Sequence, residues 1–110
     1  MNEVETNDLL RQCQHIAGVI SRPEEQDDND AGEAFSAYDF LEDALDIEYT
    51  VTGRGEYLGA RVLVAFGGPS IWVNTRSCIV EGAWWGDTAR VGFTDTLGLD
   101  DALSEMWNCS

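Results

Sequence analysis

At Ile47 the spacing of apolar residues switches from helical to alternating, and this switch fixes the kinds of structure the chain can build. Before it, Leu9, Leu10, Cys13, Ile16, Ala17 and Ile20 recur at helical intervals, predicting a helix from Asn7 to Ser21 with Asn7 as its N-cap. A second helix is expected over Glu33–Leu45. At ~100° per residue, Ala34, Ala37, Tyr38, Phe40, Leu41, Ala44 and Leu45 share one face of it, and Asp39, Glu42, Asp43 and Asp46 share the other. Phe35 falls among the acids, an exposed aromatic on a charged face.

After the switch, Ile47, Tyr49 and Val51 alternate with Glu48, Thr50 and Thr52. Gly53-Arg54-Gly55 reads as a turn. Tyr57–Phe66 is a long strand, apolar on both faces near its end and so central in a sheet. Gly67-Gly68-Pro69 breaks it, Ile71–Asn74 and Cys78–Trp85 follow as strands, and Gly86-Asp87 turns the chain into a last short strand around Arg90–Phe93. Connections this short require antiparallel neighbours. A closing helix, Leu99–Trp107, carries Asp100 and Asp101 in its first turn, where the helix dipole favours acids. The expectation is one α+β domain over residues 1–110: a four-stranded antiparallel meander sheet with helices packed on one face, in the order α-α-β-β-β-β-α. An acidic, mobile loop is expected at about 23–32.

Charge then narrows the function. From Glu24 to Glu48 the chain carries Glu24, Glu25, Asp27, Asp28, Asp30, Glu33, Asp39, Glu42, Asp43, Asp46 and Glu48, with no cation among them. There is no lysine; the cations are Arg11, Arg22, Arg54, Arg61, Arg76 and Arg90, and the net charge is -15 over 110 residues. Such a charge opposes folding by self-repulsion, which points to a use outside stability. It excludes direct nucleic-acid binding, which needs cations to neutralise phosphates. No apolar run approaches the ~20 residues of a membrane span, and the acidic start MNEVETND lacks the basic segment of a secretory signal. A cytoplasmic protein is expected.

Motifs for chemistry fail on inspection. Gly53-x-Gly55 is followed by Leu58 where a dinucleotide loop needs glycine. Cys13 and His15 stand two apart on a helix and point away from each other. Asp27, Asp28 and Asp30 suggest a calcium loop, but counting from Asp28 the sixth and twelfth positions are Glu33 and Asp39, not Gly and Glu. Cys13, Cys78 and Cys109 form no CxxC pair and are expected as free thiols. No catalytic residue, cofactor or metal is expected. Trp84 and Trp85, adjacent on a strand, should face opposite sides of the sheet, so one of them, near Trp72 and Tyr57, is free to be an interface aromatic.

Three explanations of the acid compete. On a helix of ~1.5 Å rise, carboxylates at i, i+3, i+4 and i+7 lie ~5–6 Å apart along one face. That is the scale of the ~3.4 Å phosphate spacing along a DNA strand. Asp39, Glu42, Asp43 and Asp46 would then form a partner-binding face, the Glu24–Asp30 run with its Asp27, Asp28 and Asp30 a flexible electrostatic lure, and Phe35 the apolar anchor. The partner would be a basic nucleic-acid-binding protein or ribonucleoprotein complex. The alternatives are an acidic adaptor for some other basic protein, a salt-adapted domain, or a small enzyme with a carboxylate site under the Trp cluster. A homodimer through the outer sheet face or a sheet edge stays open.

With its short, acidic, single-domain build and no enzymatic motif, the chain resembles the small proteins of phages and other mobile elements that inhibit CRISPR or restriction enzymes by mimicking DNA. The segment Gly67-Gly68-Pro69-Ser70-Ile71-Trp72-Val73-Asn74-Thr75-Arg76, with Val80-Glu81-Gly82-Ala83-Trp84-Trp85-Gly86, also looks like a hairpin of phage and plasmid proteins. The resemblance is one of type and charge. It implies a non-enzymatic inhibitor that occupies a nucleic-acid-binding groove, and it assigns no residue a role.

Overall fold

The computed structural model describes residues 2–25 and 35–109, with side chains from Asp8 to Glu24 and from Phe35 onward. Helix α1 (Asn2–Ser21) is followed by a single 3-10 turn (Pro23–Glu25) and a short helix α2 (Ala37–Glu42). Five strands come next: β1 (Asp46–Val51), β2 (Tyr57–Ala65), β3 (Ser70–Asn74), β4 (Ile79–Trp84) and β5 (Asp87–Gly92). Helix α3 (Leu99–Asn108) closes the chain. The strands pair antiparallel in sequence order, β1-β2-β3-β4-β5.

The α+β class and the antiparallel meander agree with the sequence reading, but the sheet has five strands rather than four. The fifth arises because Trp85 and Gly86 both adopt positive φ (54° and 85°). That makes a two-residue turn of the hairpin-compatible kind, so β5 pairs with β4 residue for residue from Asp87 opposite Trp84 to Gly92 opposite Ile79.

Two helix boundaries also differ. α1 begins at Asn2, so Asn7 lies inside it rather than at its N-terminus. α2 is six residues long rather than the expected span from Glu33 to Leu45. Its start is set by a capping box: Asp39 N–H donates to Ser36 Oγ (3.2 Å), while Ser36 N–H donates back to Asp39 Oδ2 (2.9 Å). Its end is set by the sheet, because Leu45 N–H already donates to the carbonyl of Leu63 (2.8 Å). Of the expected acidic loop, Pro23–Glu25 form the 3-10 turn and the remainder lies outside the described residues.

Cross-strand register shows how the two faces of the sheet differ. Val62, Val73, Val80 and Val91 lie side by side across β2–β5, next to Ile47 on β1. The helices cover this face. Leu9, Cys13, Ala17 and Ile20 of α1 and Leu99, Ala102 and Leu103 of α3 are buried against it, with Ala37 and Leu41 of α2. Leu10, expected in the α1 stripe, is exposed. On the opposite face the register aligns Asp46, Leu63, Trp72, Glu81 and Arg90, one from each strand.

α3 is fixed at both ends. The Asp95 carboxylate accepts from the N–H groups of Gly98 (3.0 Å), Leu99 (2.7 Å) and Asp100 (2.9 Å), meeting three donors that a helix start leaves unpaired. At the other end the Trp107 indole N–H donates to the Gly55 carbonyl (2.8 Å), and its ring packs on Tyr49, 5.2 Å between centroids.

Candidate partner-binding surface

Strand direction brings one set of exposed residues to a single end of the sheet. β1 starts there, β2 ends there, β3 starts, β4 ends and β5 starts. Three large apolar side chains stand exposed at this rim: Leu45 just before β1 (59%), Phe66 just after β2 (73%) and Trp85 in the β4–β5 turn (81%). The end of α2 delivers Glu42 and Asp43 to the same rim, and Asp46 opens β1; all three are exposed.

The sequence-predicted site residues divide as follows. Asp27, Asp28 and Asp30 lie outside the described residues. Asp39 is exposed, but its carboxylate is committed to the capping box with Ser36. Glu42 is the last residue of α2 and Asp43 its C-cap. Asp46 is on β1 rather than on a helix, with its Oδ1 accepting from Ile47 N–H (2.9 Å). The expected four-carboxylate helical ladder therefore shortens to Asp39, Glu42 and Asp43. Phe35 is not an exposed anchor. It is half-buried and lines a 180 Å³ cavity with Ile16, Phe40, Asp43 and Val64. Its displacement follows from the helix starting at Ala37, which leaves Phe35 outside the helical geometry that had placed it among the acids.

Sequence reasoning missed Phe66, and it placed Trp85, one of its candidate interface aromatics, on the sheet rather than in the turn where it stands exposed. For Trp85 the signal was present: a residue followed by Gly between two alternating runs marks a two-residue turn, so Trp85 leaves the strand and projects outward. Trp84 packs partly against the core. Trp72 lies on the helix-free face under the Arg61 guanidinium, 4.1 Å from the ring centroid.

A groove of about 450 Å³ beside Trp72 is lined by Ser70, Trp72, Glu81, Ala83, Thr88 and Arg90. Glu81 is the only carboxylate among these, and it pairs with Arg90 at 3.6 Å. Convergent acids, as a carboxylate enzyme needs, do not line it. The polar cluster of Tyr57, Thr75 and Asp100 is a tie between elements. The hydroxyls of Tyr57 (2.8 Å) and Thr75 (2.9 Å) both donate to Asp100 Oδ1, and Ala60 N–H donates to Thr75 Oγ1 (3.0 Å), linking β2, the β3–β4 turn and α3. Burial, reinforced by the Asp100 carboxylate, pushes the Tyr57 phenol far above its ordinary range. Among the described residues no group of three His, Cys, Asp or Glu side chains converges as a metal site, and all three cysteines are free. No described helix is long and apolar enough to cross a membrane.

The surface thus defines an α+β domain with a one-sided sheet and an acidic, aromatic rim. No protein-family model matches the chain, and no curated protein or solved structure does either.

Proposed function

We propose that this chain is a non-enzymatic inhibitor that docks its acidic rim on a basic nucleic-acid-binding protein, in the manner of charge mimicry of DNA. The observation that carries the reading is the company kept at one end of the sheet. Exposed Leu45, Phe66 and Trp85 stand there with exposed Glu42, Asp43 and Asp46. Carboxylates alone supply steering and on-rate; a tight complex also needs apolar anchors that desolvate, and Trp is a favoured one. The net charge of -15 supplies long-range attraction to a basic groove. Trp85 thereby takes the anchor role that the sequence had suggested for Phe35.

The test is capture from a nuclease-treated cell extract on the immobilised natural chain and on a Glu42→Gln/Asp43→Asn/Trp85→Ser variant. The expected result is a nucleic-acid-binding protein held by the natural chain, lost from the variant, and displaced by duplex DNA. A partner held equally by both chains, or one indifferent to competing DNA, removes the reading.

A further inference from the structure

We propose that the helix-free face of the sheet pairs with the same face of a second copy, about a twofold axis running parallel to the strands. The argument is independent of the rim's proposed function and rests on where the charges of this face lie. Asp46 and Glu48 stand on β1, Arg61 on β2, Glu81 on β4 and Arg90 on β5. Arg76, from the β3–β4 turn, lies over β2: a Cβ built on Gly59 would meet its Cγ at 2.0 Å. Read strand by strand from β1 to β5, the signs are negative, positive, none, negative, positive.

This pattern changes sign when reversed about β3. A twofold axis along β3 places β1 over β5 of the second copy and β2 over β4, so every charged strand meets one of opposite sign. A twofold axis across the strands would set each strand on itself and oppose like charges, which disfavours close approach. In the favoured arrangement Asp46 and Arg90, which occupy one cross-strand row, face each other across the interface at both ends. The Arg61 guanidinium leans out of its own row onto Trp72 and so into the row of Glu81.

The face is also the place where a second copy can approach a chain of this charge. Its Asp46, Glu48 and Glu81 balance Arg61, Arg76 and Arg90, in a chain whose net charge is -15. The existing pairs, Arg61–Glu48 at 2.9 Å and Arg90–Glu81 at 3.6 Å, keep their heads partly exposed, with side-chain accessibilities of 38%/52% and 65%/35%. Stacked face to face, each pair meets the other reversed. Strands ~4.8 Å apart and ~3.4 Å per residue give five strands a footprint of roughly 400–500 Å² per copy. That is below the ~800 Å² of a standard interface, so the dimer is weak and populated at high protein concentration.

Sedimentation equilibrium of the full chain at 150 mM salt, at concentrations on the order of 10–500 µM to match an interface of this size, tests the proposal. The natural chain is expected to approach twice its 12.1 kDa mass. Arg90→Glu and Asp46→Arg each put like charges across the axis and should weaken self-association at least about tenfold. An equimolar mixture of the two variants restores both opposed pairs in one heterodimer and should recover the association, to within about threefold of the natural chain. Recovery on mixing also shows that both variants are folded. A monomeric natural chain, a single variant that dimerises as well as the natural chain, or a mixture that stays monomeric overturns the proposal. Pairing through the β1 or β5 edge would survive both substitutions and counts among these outcomes.

Discussion

Gly82 lies directly beneath Cys13: a Cβ built on Gly82 would come within 2.8 Å of Cys13 Sγ and 2.8 Å of Leu9 Cδ1. No side chain separates α1 from β4 at this point, and Leu9 and Cys13 are fully buried in the contact. Gly82→Ala should therefore overpack the core and cost about 1–3 kcal/mol, read as a lower denaturant midpoint. Adding Cys13→Ala removes one of the two clashing atoms, so the double variant should lose less than the sum of the single losses. Strict additivity would show that α1 shifts freely on the sheet.

Asp95 does more for α3 than the residues inside its first turn. Its carboxylate meets three backbone N–H groups, whereas the N-cap residue Gly98 has no side chain to offer. Asp95→Ala should cost about 1–2 kcal/mol, the upper part of the range for losing a cap. Amide exchange should accelerate first at Gly98, Leu99 and Asp100. An unchanged exchange pattern at those amides would show that water replaces the carboxylate without loss.

Alkaline stability reports on Tyr57. Burial and the Asp100 carboxylate raise its pKa in the folded chain above the ordinary tyrosine value of 10.0. The folded state therefore holds the phenol proton after the unfolded state has begun to release it. This contribution is complete below pH ~10 and falls as pH rises from there toward the folded-state value. Thermal melts from pH 8 to 11 should show a decline that Tyr57→Phe makes shallower. Cys13 and Cys78, also raised by burial, give declines of the same sign at lower pH and remain in the variant. A Tyr57→Phe profile parallel to that of the natural chain would remove the linkage.

The meander was legible because its evidence is local: alternation, turn residues and short connections all lie within a few positions of one another. A last short strand around Arg90–Phe93 was legible too, but its start and its place in the sheet were not: Trp85 read as one more strand residue, whereas its positive φ makes it part of the turn that launches β5 at Asp87. The long second helix failed for a tertiary reason. Its periodicity continues past Glu42, but the Leu45–Leu63 hydrogen bond claims the chain for the sheet. That single bond moves Asp46 from a helical ladder to the helix-free face. The charge order of that face could not be read from sequence at all, since Asp46, Arg61, Glu81 and Arg90 become neighbours only through strand register.

Trp85 separates a residue kept for folding from one kept for binding. Its left-handed backbone (φ 54°) disfavours any side chain with a Cβ, by about 1–2 kcal/mol, and Asn bears that conformation better than Trp does. Its side chain is 81% exposed, so little burial offsets the strain. Trp85→Asn should raise the melting temperature or leave it unchanged, while weakening the partner complex by roughly tenfold or more if Trp85 is an anchor. Glu42→Gln/Asp43→Asn should act differently, slowing association and reducing its salt dependence with little change in dissociation. Surface-binding kinetics at two salt concentrations distinguish the two signatures. If Trp85→Asn instead destabilised the fold and left binding intact, the aromatic would belong to the sheet and the rim would lose its anchor.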